Sequence, residues 1–352
     1  MPLSRLTESD RLYLRPILAG PGRLGFNAVE LVVRRSDGSV SAAAHAVSEL
    51  DHLARTIPAG AKSRLQLLLQ RCHAPRTAIA GLSFDRPLIM GVVNVTPDSF
   101  SDGGDYLKTN AAVSGALSLA ADGADILDIG GESTRPGAAD VSVEEELERV
   151  LPVIEQITGR AQPISIDTRK AAVMSAALKA GASIINDVSA LEFDPKALAV
   201  AAASDAPVIL MHARGDPETM QKDPRYDNVL LDVFDYLEGR VVACEAAGIP
   251  RSRLIVDPGI GFGKTVAHNL ALLRGLSLFR ALGCPVLLGA SRKSFIGRLA
   301  GTPAAKDRVA GSLAAALWAV REGADIVRVH DVAETRQALA VWNAIGGDVA
   351  VE

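Results

Sequence analysis

Aromatic residues make up only 4% of the 352-residue chain, and its three cysteines, Cys72, Cys244 and Cys284, stand far apart with no C-x-x-C pair. An odd, scattered set of thiols excludes a disulfide framework and a thiolate zinc site, and it suits a reducing cytoplasm. No apolar run approaches the roughly 18 residues of a membrane span, and MPLSRLTESDR at the start lacks the apolar stretch of a secretory signal. A cytoplasmic protein without a membrane partner is therefore expected. Neither sign of charge dominates, since 37 Lys and Arg face 41 Asp and Glu. The imbalance is local: residues 1–85 carry 11 basic and 7 acidic groups, net +4, which leaves 26 and 34, net −8, for the rest. Neither part is basic enough for nucleic acid.

What is abundant is Ala, Val, Leu and Ile, a mixture suited to buried parallel strands under Ala-rich helices. One phrase recurs as GADILDIG at 123–130, GASIINDV at 181–188 and GADIVRVH at 323–330, each reading as a helix end followed by a strand. Short apolar runs ending in polar residues fall at 88–94, 125–130, 163–167, 183–187, 207–212, 253–257, 285–290 and 325–330. Helical stretches lie between them, such as 143–156 behind the capping box Ser142-x-x-Glu145, and 195–203 behind Asp194 and Pro195. Eight such units predict a (β/α)8 TIM barrel over residues 86–352. A doubly wound sheet is the weaker reading, because GVVNVTPDSF after the first strand has no G-x-G-x-x-G. Residues 1–80 read as a small α+β attachment with strands at 12–19 and 28–35, a turn at Ser36-Asp37-Gly38 and a helix near 41–57.

Catalytic groups of a barrel gather at the strand C-termini, which here carry Asn94, Asp128, Asp167, Asn186, Asp187, His212, Asp257, Lys293, Arg328 and His330. Taken singly, Asp128 or Asp187 could simply cap the next helix. DPGIGFGKT at 257–265 is not a Walker A loop, since the required first Gly falls on Pro258. Its glycines would let backbone approach a flat ligand. SRKS at 291–294 and Arg328-x-His330 follow the last two strands, where barrels often hold phosphate; a buried ion pair is the competing role for Arg328. The six histidines show no H-x-H or H-E-x-x-H spacing, which argues against zinc, whereas Mg²⁺ needs only an oxygen such as that of Asn94 beside phosphates. The loops TPDSFSDGG at 96–104 and GGESTRPGAA at 130–139 suit lids over a substrate, or plain long connections.

Together, MGVVNVTPDSFSDGG, DIGGESTRPGA, SIDTRK, INDVS, Met211-His212, DPGIGFGK, GASRKSFIG and RVHDV resemble the dihydropteroate synthase family in content and order, over about residues 86–340. The resemblance implies a transferase of folate biosynthesis that condenses 6-hydroxymethyl-7,8-dihydropterin diphosphate with p-aminobenzoate, releasing pyrophosphate by an SN1-like route. It places Asp167, Asn186, Met211, Asp257, Phe262 and Lys293 at the pterin, and Asn94, Arg135, Arg328 and His330 at the pyrophosphate, with Mg²⁺ on Asn94. Thr134, Arg135, Pro136, Phe262 and Ser291 would frame p-aminobenzoate, with sulfonamides as competing ligands. Asp167, Lys293, Arg328 and His330 would carry the catalysis. A homodimer is the expected assembly. The nearest alternative is a methyltetrahydrofolate-dependent methyltransferase, another pterin-binding barrel, with no pyrophosphate to expel. A catalytically idle binding scaffold is the reading from another class, and it would be expected to lose several of these polar residues.

Overall fold

A computed structural model describes residues 6–18, 25–96, 105–133, 140–160, 162–215 and 220–346, with 105–108 described by backbone alone. The chain opens with a three-stranded antiparallel sheet, β1 Arg11–Ile17, β2 Ala28–Arg34 and β3 Val40–Ala46, in the order β1-β2-β3. A tight turn joins β2 to β3, with Gly38 at φ +84° donating to the Arg35 carbonyl at 2.9 Å. β3 corrects the helix expected at 41–57. Its alanines favour a helix, but seven residues of register with β2, from Ala28↔Ala46 to Arg34↔Val40, override that preference. Only α1, Leu50–Leu53, is α-helical in that stretch, and the longer helix α2, Ala59–His73, comes after it.

The barrel alternates strand and helix: β4 Leu88–Asn94, α3 Asp105–Asp122, β5 Ile126–Gly130, α4 Val143–Ile157, β6 Ile164–Asp167, α5 Ala171–Ala180, β7 Ile184–Asp187 and α6 Ala197–Ala202. It continues with β8 Val208–Met211, α7 Val229–Ala246, β9 Leu254–Asp257, α8 Val266–Arg274, β10 Leu287–Leu288, α9 Ser294–Ala300, α10 Val309–Arg321, β11 Ile326–Val329 and α11 Val332–Ile345. All eight strands run parallel in the order β10-β11-β4-β5-β6-β7-β8-β9, and a parallel bridge Val256↔Val286 brings the two ends together. Ser142 caps α4 by accepting from the Glu145 N–H at 3.1 Å, but Glu145 turns to Arg149 instead of completing the box. Among the described residues no helix is long and apolar enough to cross a membrane.

Leu88, Met90, Ile126, Ile184, Ile209, Ile255, Leu287 and Ile326 fill the lower barrel. A tight bend in the linker closes it from below: Ile79 and Leu82 exchange backbone hydrogen bonds of 3.0 and 2.7 Å, and Ile79, Leu82 and Phe84 join the cluster. The three-stranded sheet and α2 share a continuous apolar core with the barrel, in which Tyr13 meets Phe234 edge-on at 5.6 Å. Around that contact, Arg11, Arg34 and Arg64 pair with Asp232, Asp235 and Glu238 of α7 at 2.5–3.3 Å. The local charge imbalance of the sequence is thus satisfied where the basic attachment meets an acidic helix face.

Candidate active site

Side chains alternate along a strand, so the residue two places beyond an inward apolar one also faces the barrel interior. Ile126 is followed by Asp128, Ile184 by Asn186, Ile255 by Asp257 and Ile326 by Arg328. The floor of the barrel is therefore apolar and the next layer up is polar. At its centre Arg328 donates through Nε to Asp128 at 2.6 Å and through Nη2 to Asp167 at 2.8 Å. The ion pair weighed as the competing role for Arg328 is therefore present, with partners that come from β5 and β6 rather than from adjacent sequence. Asp128 is no helix cap, since it also accepts from Asn186 Nδ2 at 3.2 and 3.3 Å. Burial pushes the Asp167 carboxyl up to about 7, against the pull of Arg328 and with Asp128 adding like charge. Burial opposes the charge of Arg328, yet the two carboxylates hold its guanidinium above the usual arginine range.

Beside this centre, Asp257 is buried and its carboxylate accepts the Gly259 N–H at 2.7 Å. Burial raises its carboxyl, which Lys293 and that N–H counteract. Lys293 donates to the Ile260 carbonyl, and its Nζ lies 4.6 Å from the centre of the Phe262 ring. Burial lowers the Lys293 ammonium to about 8, although Asp257 favours its charge. The loop that builds this corner needs glycine: Gly259 sits at φ +68°, and a Cβ there would lie 1.9 Å from the His212 carbonyl oxygen. Lys264 locks the same seam, its Nζ reaching His212 Nδ1 at 2.9 Å, the His212 carbonyl at 3.2 Å and the Phe262 carbonyl at 2.9 Å. Burial, then Lys264, lowers the His212 imidazole to about 2, so His212 is a neutral acceptor here.

At the end of β11, His330 meets Ser291, whose Oγ lies 3.0 Å from Nδ1 and accepts the His330 N–H at 3.2 Å. Arg292, at φ +58°, is turned onto Asp331 and leaves Lys293 as the inward cation of SRKS. The structure thus brings Asp167, Asn186, Met211, Asp257, Phe262, Lys293 and Arg328 around one mouth. Asn94 ends β4 on the same ring and Ser291 joins His330. Asp187 does cap its loop, accepting from the Ser189 and Leu191 N–H groups. Thr134, Arg135 and Pro136, and most of the loop at 96–104, lie outside the described residues.

Sequence reading missed a buried network at the flank of this mouth: Glu132 accepts from Arg169 at 3.0 Å and Lys170 at 3.1 Å, and Lys170 reaches Glu146 at 2.5 Å. Opposite charges in SIDTRK and GGEST, two loops that follow adjacent strands, are the signal that could have found it.

A family model described as pterin binding enzyme matches residues 90–330. Dihydropteroate synthase of Neisseria meningitidis serogroup B is 51% identical over 270 residues, covering 75% of this chain and 95% of its own length. The chain belongs to the dihydropteroate synthase family. It shares the fold of the Xanthomonas albilineans dihydropteroate synthase solved in complex with 7,8-dihydropteroate, at 50% identity and a TM-score of 0.71, over 78% of this chain and all of that one. A Yersinia pestis dihydropteroate synthase solved with a sulfonamide drug is 47% identical with a TM-score of 0.71, over 75% and 96% of the two chains. As a member of this family the protein is a transferase and a pterin-binding enzyme, and its polar layer is built in the barrel that the family shares.

Proposed function

We propose that the protein joins 6-hydroxymethyl-7,8-dihydropterin diphosphate to p-aminobenzoate, giving 7,8-dihydropteroate and pyrophosphate. The observation that carries this reading is the conjunction of buried Asp257 and Asn186 with half-buried Lys293 at one mouth of the barrel. A pterin presents N–H donors along its 2-amino/N3 edge, which Asp257 suits, and acceptors at O4 and N5, which Lys293 suits, while Asn186 completes the recognition. Met211 and Phe262 supply apolar walls for a flat ring.

Arg328, already shared by two carboxylates, would meet the diphosphate with its remaining Nη1, and His330 and Arg135 would add to that end. Cleavage of the methylene C–O bond sends its electron pair to the departing pyrophosphate and leaves a resonance-stabilised pterin methylene cation, with Asp167 beside it as counter-charge. The aniline nitrogen is uncharged at neutral pH and gives its lone pair to that carbon. Its surplus proton then passes to solvent, so no general-base pair is required. Thr134, Arg135, Pro136, Phe262 and Ser291 would frame the arylamine, and a sulfonamide would compete there.

Among the described residues no group of three or more His, Cys, Asp or Glu could hold a metal ion. The donor set fits an ion that takes most of its oxygens from diphosphate, with the Asn94 carboxamide as the protein's own ligand. When bound there, Mg²⁺ would neutralise negative charge on the diphosphate. The attachment of residues 1–80 supplies none of these groups, and its proposed role is to stabilise the barrel. A homodimer is the proposed assembly and the cytoplasm the proposed compartment.

Calorimetry tests the pterin assignment. Asp257→Asn puts a donor where the pterin N–H groups need an acceptor, and should weaken binding of 6-hydroxymethylpterin by about 1–3 kcal/mol for each unmet bond. Unchanged affinity would remove Asp257 from the site.

A further inference from the structure

Asp128 is fully buried and has no part in the reaction just described. Its carboxylate nevertheless holds two groups that do: Arg328 Nε at 2.6 Å and Asn186 Nδ2 at 3.2 and 3.3 Å. In the ring, β5 is separated from β11 by β4 and from β7 by β6. The side chain therefore reaches across the barrel interior in both directions. We infer that Asp128 is a positioning residue of this site, one buried carboxylate that orients both the amide that reads the pterin and the guanidinium that faces the diphosphate. This rests on the roles proposed above for Asn186 and Arg328.

The physical grounds are geometric. A terminal amide has nearly the same shape whichever way it is turned, so its hydrogen bonds decide which end faces a ligand. Donation from Nδ2 to Asp128 fixes that choice and commits the carbonyl oxygen elsewhere. Arg328 is forked between Asp128 and Asp167, which fixes the plane of its guanidinium and thereby where Nη1 points. Without Asp128 the fork has one tine, and the amide loses the acceptor that sets its orientation.

A double-mutant cycle on the full chain reads this directly. Calorimetry with 6-hydroxymethylpterin on Asp128→Asn, Asn186→Ala and the double variant should show at least a tenfold loss for Asp128→Asn alone. That loss should shrink to under threefold when Asn186 is already Ala, because the effect passes through Asn186. Asp128→Ser takes its place in the cycle if the amide variant does not fold. A second readout is the acid limb of kcat/KM set by Asp167, which is faced by Arg328 from β11, Asp128 from β5, Glu146 from α4 and Asp187 from β7. Removing one of those negative charges should move the limb to lower pH, whereas a merely loosened fold would lower activity at every pH. Unchanged pterin affinity in the Asp128 variant, or losses that simply multiply in the double variant, would overturn the inference. Failure of the wild-type chain to bind 6-hydroxymethylpterin would instead overturn the functional reading beneath it.

Discussion

In the proposed mechanism, two side chains set the pH window in which the site can work. Asp167, raised to about 7 chiefly by burial, would have to be ionised to face the proposed cation, so activity should rise as pH climbs through that value. Lys293, lowered to about 8 chiefly by burial, would have to stay protonated to donate to the pterin acceptors proposed for it, so activity should fall as pH climbs past that value. The expected kcat/KM profile of the free enzyme is a narrow bell with limbs near 7 and 8. In Lys293→Arg whatever activity survives should keep the acid limb and lose the alkaline one, since a guanidinium stays charged over this range. An alkaline limb that persists in the arginine variant would assign that limb to another group.

At the scale of elements, the loop from Asp257 to Lys264 is where backbone geometry and the proposed pterin recognition meet. Gly259→Ala combines a left-handed φ of +68° with a Cβ placed 1.9 Å from a backbone oxygen that cannot step aside. It should cost well over about 1 kcal/mol of stability and weaken pterin binding with it. Gly301→Ala is the control: it has a similar φ of +66° but nothing within 4 Å of the new methyl, so only the strain of the backbone remains. Equal denaturant midpoints for the two variants would contradict the close approach of the two loops. This scale also shows what a sequence can disclose. Every barrel strand was legible, because a short apolar run is a local pattern and each strand carries its own. The partners of Arg328 were not, since Asp128 and Asp167 lie 200 and 161 residues away and only ring closure brings them together. β3 was hidden for a related reason: an alanine-rich segment becomes a strand only when β2 offers it an edge.

For the whole molecule, the basic attachment and the acidic face of α7 form one interface, so the charge split was legible and its purpose was not. Removing residues 1–80 would strip the arginine partners from Asp232, Asp235 and Glu238 and uncover Phe234, which lies at the core of the seam. With partners lost from carboxylates that are half-buried or better, and Ile79 lost from the lower barrel, at least about 3 kcal/mol is the expected loss of stability. At about 2–4 °C per kcal/mol this lowers Tm by roughly 10 °C. Pterin affinity of the folded fraction should stay within about threefold of the full chain, because every proposed pterin ligand lies beyond Asn94, within the barrel's own stretch of sequence. A folded truncation that no longer binds 6-hydroxymethylpterin would mean that the attachment shapes the site itself.

The most direct test of the account is to follow both products at once, with Mg²⁺ present. Given pterin diphosphate and p-aminobenzoate together, the protein should release pyrophosphate and form 7,8-dihydropteroate in equal amounts. Withholding the arylamine should abolish dihydropteroate formation, and adding a sulfonamide should suppress it. Dihydropteroate that fails to appear, or methyl transfer from methyltetrahydrofolate in its place, would contradict it.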